Sequence, residues 1–398
     1  MDGRRRITLG FERIEALLAA MGHPERDLPG FVQVVGTNGK GTTALALAAV
    51  LQEMGHPSGA YLSPHVLSYT ERVVIHGSQV SEEDFAASVG ETMEIADREG
   101  IPVSQFELLT AGALGMFAAA GLTWGVLEAG LGARHDATSV VRPGIVVLTN
   151  VSIDHSEYLG ETVEEIAGEK LASLTSGGTL FLGTDDPRVV GLAHSTCRRL
   201  GAQLVLPGEA GADISLPEMA SYAAEDVHLG LAVAESLLAR RLPDEVKEKV
   251  AYDVANALPG RFEVSEAGGV PVVVDGGHNE EGISAALAGM RRAYEDRPLA
   301  VVFGVLREKD VASMLAGLER EADVIVLTRP ESERAADPAE LQLRHQPLDR
   351  EEKGALVVED PVEALGVAVE AVKEAAGVVL VVGSLATAAP VLRWLRAA

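Results

Sequence analysis

Cysteine is all but absent. A single Cys197 in 398 residues rules out an intrachain disulfide, so nothing in the chain marks an oxidising compartment, and the cytoplasm is the expected location. Positive charge is also scarce. Lys and Arg number 33 against 59 Asp and Glu, a formal charge of −26, which argues against nucleic acid or an anionic membrane as partner because both reward clustered cations. Any anionic substrate must then find a locally positive pocket. No apolar run approaches the roughly 18 residues needed to cross a bilayer. The basic start Arg4-Arg5-Arg6 leads into the acidic, amphipathic Phe11-Glu12-Arg13-Ile14-Glu15 rather than into a signal-peptide core. Aromatics are few, at 4%. What is plentiful is small and aliphatic: 47% hydrophobic residues with 42 Gly, the composition of a globular α/β chain that can bury a large core and not of a disordered one. The length favours two domains.

From Phe31 onward short apolar runs alternate with amphipathic stretches: Phe31 to Val35 then Thr42 to Met54, Trp124 to Glu128, Ile145 to Leu148 then Thr162 to Leu174. Such alternation predicts strand–helix units and a mostly parallel sheet whose strand ends share one edge. Glu71 to Gly77 reads as extended, Ser81-Glu82-Glu83-Asp84 as a capping box opening a helix, and Gln105 to Ala120 as another helix. Pro207 to Pro217 reads as a surface excursion and Asp226 to Arg240 as a helix. The domain boundary is expected at Leu258-Pro259-Gly260-Arg261. Residues 1–260 then form the first domain, and 261–398, where the alternation resumes through Leu299 to Phe303, Val324 to Leu327 and Val378 to Val382, form a smaller, doubly wound one.

The strongest local signal is Gly36-Thr37-Asn38-Gly39-Lys40-Gly41-Thr42, placed between a strand and a helix. Glycines let successive backbone N–H groups curl round a phosphate, Lys40 reaches the outer phosphates, and Thr42 can ligate Mg²⁺. Gly41 stands between Lys40 and Thr42, so the general G-x-x-x-x-G-K-[ST] spacing is not met. Beyond a second apolar strand comes Glu128-Ala129-Gly130-Leu131-Gly132-Ala133-Arg134-His135-Asp136. A carboxylate at a parallel strand's end is where such sheets place ligand groups; Glu128 can hold Mg²⁺, or stand as a solvated carboxylate before a flexible loop. A third strand ends in Asn150-Val151-Ser152-Ile153-Asp154-His155, with Glu169-Lys170 on the following helix. His155 and its carboxylate neighbour suit a second metal or a phosphate, and Lys170 would offset charge. In the second domain Asp275-Gly276-Gly277-His278-Asn279 suits a ribose or base, and Arg261 is placed to reach phosphates across the domain interface. Gly304 to Asp310 and Gly383-Ser384 repeat the strand-then-glycine arrangement.

In this order, with Ser63-Pro64-His65, Glu71-Arg72-Val73, Gln105-Phe106-Glu107 and Thr110 between them, these segments resemble the Mur ligase superfamily, and within it the folylpolyglutamate synthase/dihydrofolate synthase family. The resemblance covers nearly the whole chain. It implies a P-loop, mostly parallel α/β domain followed by a Rossmann-like glutamate ligase domain. It also implies an ATP-dependent ligase in which a folate or dihydropteroate carboxylate is phosphorylated and then attacked by L-glutamate. Carried over to this sequence, it gives Lys40 and the loop amides to the β- and γ-phosphates, and Thr42, Ser63 and Glu128 to one Mg²⁺. It gives His155 to a second Mg²⁺, a carbamylated Lys170 to the same ion, and Arg261, Asp275 and His278 to the nucleotide upon closure. A cytoplasmic monomer is expected. The family's Gly-Leu-Gly-Gly-Arg-Leu-Asp-Ala-Thr-Asn run here carries Ala133, His135 and Ser139, Leu171-Ala172-Ser173 follows Lys170 in place of Ala-Gly-Ile, and His228 stands where relatives place Asn. Two other readings stand beside it: a Mur-type ligase for a different acid, and a non-catalytic ATP-binding regulatory protein.

Overall fold

A computed structural model describes residues 10–207, 221–344 and 355–397. Arg4-Arg5-Arg6 and all but the first residue of the Pro207–Pro217 stretch lie within 1–9 and 208–220, outside the described residues. The chain divides into two compact units, one holding residues 10–207 and 224–254, the other 221–223 and the described residues from 255 onward.

The first unit is built on eight strands, β1 Gly30–Val35, β2 Ser58–Tyr61, β3 Val73–Ile75, β4 Ser78–Gln79, β5 Trp124–Glu128, β6 Ile145–Leu148, β7 Thr179–Leu182 and β8 Gln203–Val205. They lie in the order β4-β3-β2-β5-β1-β6-β7-β8. From β2 to β8 every pairing is parallel, and β3 and β4 add an antiparallel edge. The chain leaves β1 toward β2 and later crosses back over β1 between β5 and β6. In an open α/β sheet such a reversal opens a crevice at the carboxyl ends of the strands. Val35 on one face of β1 packs with Val146, Leu148, Ile166 and Ala167. The helix Lys40–Glu53 is apolar nearly all round and buried, as expected where a helix is enclosed on every side.

The second unit carries β9 Glu263–Ala267, β10 Val270–Val274, β11 Leu299–Phe303, β12 Val324–Leu327, β13 Leu356–Val357 and β14 Val378–Val382. Their order is β13-β12-β11-β14-β10-β9, parallel except for β9. Its core joins Val301, Phe303, Leu327 and Leu380 of the strands to Ile283, Met290, Leu315 and Leu318 of the covering helices. The α/β class expected from the sequence is what both units show.

Three local expectations change. Glu71 and Arg72 close a 3₁₀ turn, Tyr69–Arg72, rather than extending β3; the Glu71 carboxylate collects the N–H groups of Val66, Leu67 and Ser68, each at 2.7 Å, and so tightens the chain. Ser81 accepts the N–H of Asp84 as an N-cap, but the Asp84 side chain binds the Ser81 hydroxyl and not its backbone, so no reciprocal box forms. Thr162 to Leu174 breaks into the helix Val163–Lys170 and a 3₁₀ turn, Leu171–Ser173.

Candidate active site

Three of the motifs leave adjacent strands, β5, β1 and β6, at the same edge of the first sheet. The glycine loop follows β1, and Lys40 is the first residue of the next helix. Its shape is held from outside. The Asn38 N–H reaches Asn150 Oδ1 at 2.9 Å, and its carbonyl accepts Thr149 Oγ1 at 2.7 Å. Thr37 donates its N–H to the Asn150 carbonyl at 3.0 Å, and its hydroxyl both donates to the Ser152 carbonyl and accepts the Ser152 N–H. Lys40 Nζ folds back onto the Thr37 carbonyl at 2.9 Å, bridging the loop it belongs to.

The glycines are required by contact as well as by conformation. At Gly39, with φ +78°, a Cβ would stand 1.9 Å from Asp226 Oδ1 of the helix Ser221–Leu238; at Gly36 it would stand 1.9 Å from Thr149 Oγ1. Gly41 has a different reason. A Cβ there would lie 3.1 Å from Glu128 Oε2, so the residue that breaks the general spacing is the one against which the β5 carboxylate rests.

Glu128 is 4% exposed, and its Oε2 accepts the Ser63 N–H at 2.7 Å, tying the Ser63 loop to the end of β5. Thr42 is buried on the first turn of the helix that begins at Lys40, one residue beyond Gly41. Among the described residues no three His, Cys, Asp or Glu side chains cluster to hold a metal. A buried carboxylate that meets the Ser63 backbone and packs on Gly41, the residue before Thr42, is nonetheless the kind of hard-oxygen donor that suits Mg²⁺, which keeps waters and phosphates among its ligands.

Lys170 lies at the end of its helix, buried, and donates from Nζ to the Gly36 carbonyl at 2.6 Å. Burial first, and the Lys40 charge second, push its pKa down from 10.5 to about 7, against the opposing pull of Asp154 and Asp136. The fold thus brings Lys40, Lys170 and Asp154 into one electrostatic neighbourhood. His155 itself is exposed, in the left-handed region at φ 51°, with its N–H on Asp154 Oδ1 at 2.8 Å and Nε2 3.8 Å from Asp154 Oδ2.

In the second unit the strand ends also converge. Gly383 N–H binds the Gly277 carbonyl at 2.9 Å, and the Gly304 carbonyl accepts the hydroxyls of Ser384 and Thr387. Asp275 is buried and fully engaged by the Tyr222 hydroxyl, the Phe262 N–H at 2.8 Å and the Gly277 N–H at 2.7 Å. It fixes the turn beside which Arg261 and His278 stand: a Cβ on Gly276 would lie 2.9 Å from an Arg261 guanidinium nitrogen, and His278 Nδ1 lies 3.0 Å from the Gly276 carbonyl. Asn279 serves as the N-cap of the helix Glu280–Tyr294, accepting Gly282 N–H at 2.8 Å. Asp226 and the Thr149–Asn150 brace were not identifiable as site residues from sequence; Asn150 alone carried a signal, by following β6.

The chain matches two family descriptions, "Mur ligase middle domain" over residues 34–201 and "Mur ligase, glutamate ligase domain" over residues 260–385. It is 30% identical over 346 residues to the dihydrofolate synthase/folylpolyglutamate synthase of Bacillus subtilis, covering 79% of this chain and 80% of that one. The Mycobacterium tuberculosis folylpolyglutamate synthase complexed with ADP superposes with a TM-score of 0.87 at 29% identity, over 99% of this chain and 96% of that one. A bifunctional folylpolyglutamate synthase/dihydrofolate synthase with Mn, AMPPNP and L-glutamate bound gives 0.83 at 29% identity, over 99% and 96%.

The Lys170 environment has a measurable consequence. An unfolded Lys170 keeps its proton up to about pH 10.5, whereas the folded one releases it near 7. Between these values the unfolded chain binds more protons, so this residue's contribution makes stability rise with pH. In carbonate-free buffer, urea unfolding should show the stability of the native chain, minus that of Lys170→Met, climbing from pH 7 to 9.5 by up to about 1.4 kcal/mol per pH unit. A flat difference would mean that Lys170 folds fully charged.

Proposed function

The chain belongs to the folylpolyglutamate synthase/dihydrofolate synthase family of Mur ligases, and from that premise we propose how its own residues carry the family's reaction. The enzyme is an ATP-dependent, ADP-forming ligase that joins a folate or dihydropteroate carboxylate to the amino group of L-glutamate. The observation that carries the assignment of groups is the convergence of the glycine loop, Glu128 and the Asp154–Lys170 pair on one strand-end crevice.

A carboxylate is a poor electrophile. One of its oxygens attacks the γ-phosphorus of ATP, ADP departs, and the glutamate nitrogen then attacks the acyl carbon, expelling phosphate and losing its proton. Transfer between anions needs fixed positive potential more than covalent help. Gly36, Thr37, Asn38, Gly39, Gly41 and Thr42 would supply backbone N–H groups to the phosphates, and Lys40, already bridging the loop, a full charge. Thr42, Ser63 and Glu128 would hold one divalent cation, with His155 at a second. Such ions neutralise charge between nucleotide and acid. Arg261 and His278, on the turn that Asp275 secures, are assigned to the nucleotide. The enzyme is proposed to work as a monomer in the cytoplasm.

Lys170 is assigned a carbamate. With its pKa near 7, a large fraction of the buried amine is unprotonated at neutral pH and able to add CO₂. The product keeps one N–H for the Gly36 carbonyl while presenting a new carboxylate.

A coupled ADP-release assay with L-glutamate and either dihydropteroate or tetrahydrofolate should show turnover that depends on the acceptor. Turnover only with another acid would make this a ligase of different specificity, and none with any acid would leave a nucleotide sensor. Lys40→Ala should lower kcat at least about a hundredfold, the scale of a lost electrostatic contact in the transition state; near-normal kcat removes Lys40 from the phosphates. Lys170→Ala should regain part of its lost activity in millimolar-range acetate or formate, titrated to saturation. No regain counts against the carbamate.

A further inference from the structure

Gln33 is a polar residue in the middle of the otherwise apolar β1, with no solvent exposure. A buried amide is destabilising unless hydrogen-bonded, and this one uses only its donor end. Nε2 donates to Thr138 Oγ1 and to Ser139 Oγ, each at 2.8 Å, while Oε1 is buried without a hydrogen-bond partner. Neither hydroxyl has a hydrogen to return: Thr138 donates its own to Asp136 Oδ1 at 2.5 Å, and Ser139 donates to the Ala133 carbonyl at 2.6 Å. Turning the amide round would set its oxygen against two hydroxyl oxygens, so the orientation is fixed by its partners.

The chain of donors continues. Asp136, buried, takes the N–H groups of Gly130 and Leu131 on Oδ2, both at 2.9 Å, and that of Thr138 on Oδ1 at 3.0 Å. Each hydroxyl that accepts from Gln33 is polarised to donate more strongly onward. The route therefore runs from β1, the strand that feeds the glycine loop, through Thr138 to the backbone just past Glu128. Ala129 is registered to the same strand by its N–H on the Val34 carbonyl at 3.0 Å. We infer that Gln33 is a positioning residue: through Thr138, Ser139 and Asp136 it sets the conformation of residues 130–133, the glycine-containing loop just past Glu128, and that this loop in turn seats the acid substrate. The substrate half of this inference rests on the ligase function proposed above.

The test uses the full chain with Gln33→Met, which keeps length and removes both donors, and Thr138→Val, which cuts the relay without altering β1. Thr138→Ser is the conservative control. Hydrogen exchange at the Gly130 and Leu131 amides should accelerate by roughly tenfold or more in both breaking variants and stay native in Thr138→Ser, with β1 and β5 protection unchanged. The KM for the acid should rise about tenfold while that for ATP moves less than twofold, the scale of a small misplacement of a binding loop. The double variant should be no worse than the worse single one, as expected of residues acting in series. Unaltered exchange at Gly130 and Leu131, or a uniform loss of protection with both KM values rising together, overturns the assignment. If the native enzyme turns over no folate or pteroate acid at all, the ligase function fails, and the exchange experiment still decides the positioning role.

Discussion

The glycine loop takes its shape from the segment that leaves the neighbouring strand β6. Thr149 and Asn150 hold the peptide groups of Thr37 and Asn38, and Ser152 holds the Thr37 hydroxyl, so the loop is shaped before any phosphate arrives. Dipoles aligned in advance need no reorganisation when charge moves, the condition under which they stabilise a transition state most. Thr149 leaves no room for a side chain at Gly36, and Asp226 leaves none at Gly39. The Glu128 carboxylate then rests on Gly41, so the metal-binding candidate and the phosphate-binding candidate are fitted to one another by packing and not merely by proximity in the sheet.

Two lysines of equal chemistry are set apart by their surroundings. Lys40 is half-buried and fastened across its own loop, whereas Lys170 is buried among helix residues close enough to Lys40 to feel its charge. Burial and that neighbouring charge hold Lys170 near neutrality, so at this position a lysine is fitted to supply an amine.

Much of this was readable in the sequence because a strand followed by glycine and a charged or hydroxyl residue is a local pattern. The loop at Gly36 to Thr42, Glu128 and the Asp275 turn all have it, the Asp154–His155 pair follows its strand without a glycine, and the alternation of strands and helices announces the parallel sheet that presents them. What escaped depends on partners far apart along the chain. Asp226 meets Gly39, Lys170 meets the Gly36 carbonyl, and Gln33 meets Thr138 across more than a hundred residues; no window of sequence contains both halves of such a contact. Asp275 and Asn279 were legible as polar residues at a strand end, but their present occupations, holding a turn and capping a helix, follow from backbone geometry. Glu71 reads as extended in the sequence because its three backbone partners, though close along the chain, meet its carboxylate only once the chain has turned.

Both sheets also finish in strands that offer little to a foreign chain. β4 and β13 have two residues each and β8 three, while the longer β9 carries Glu263 and Glu266. A short or acidic margin cannot template the addition of further strands. Sheets this rich in valine and leucine would otherwise be prone to pair edge to edge, and the brevity and charge of their borders work against it.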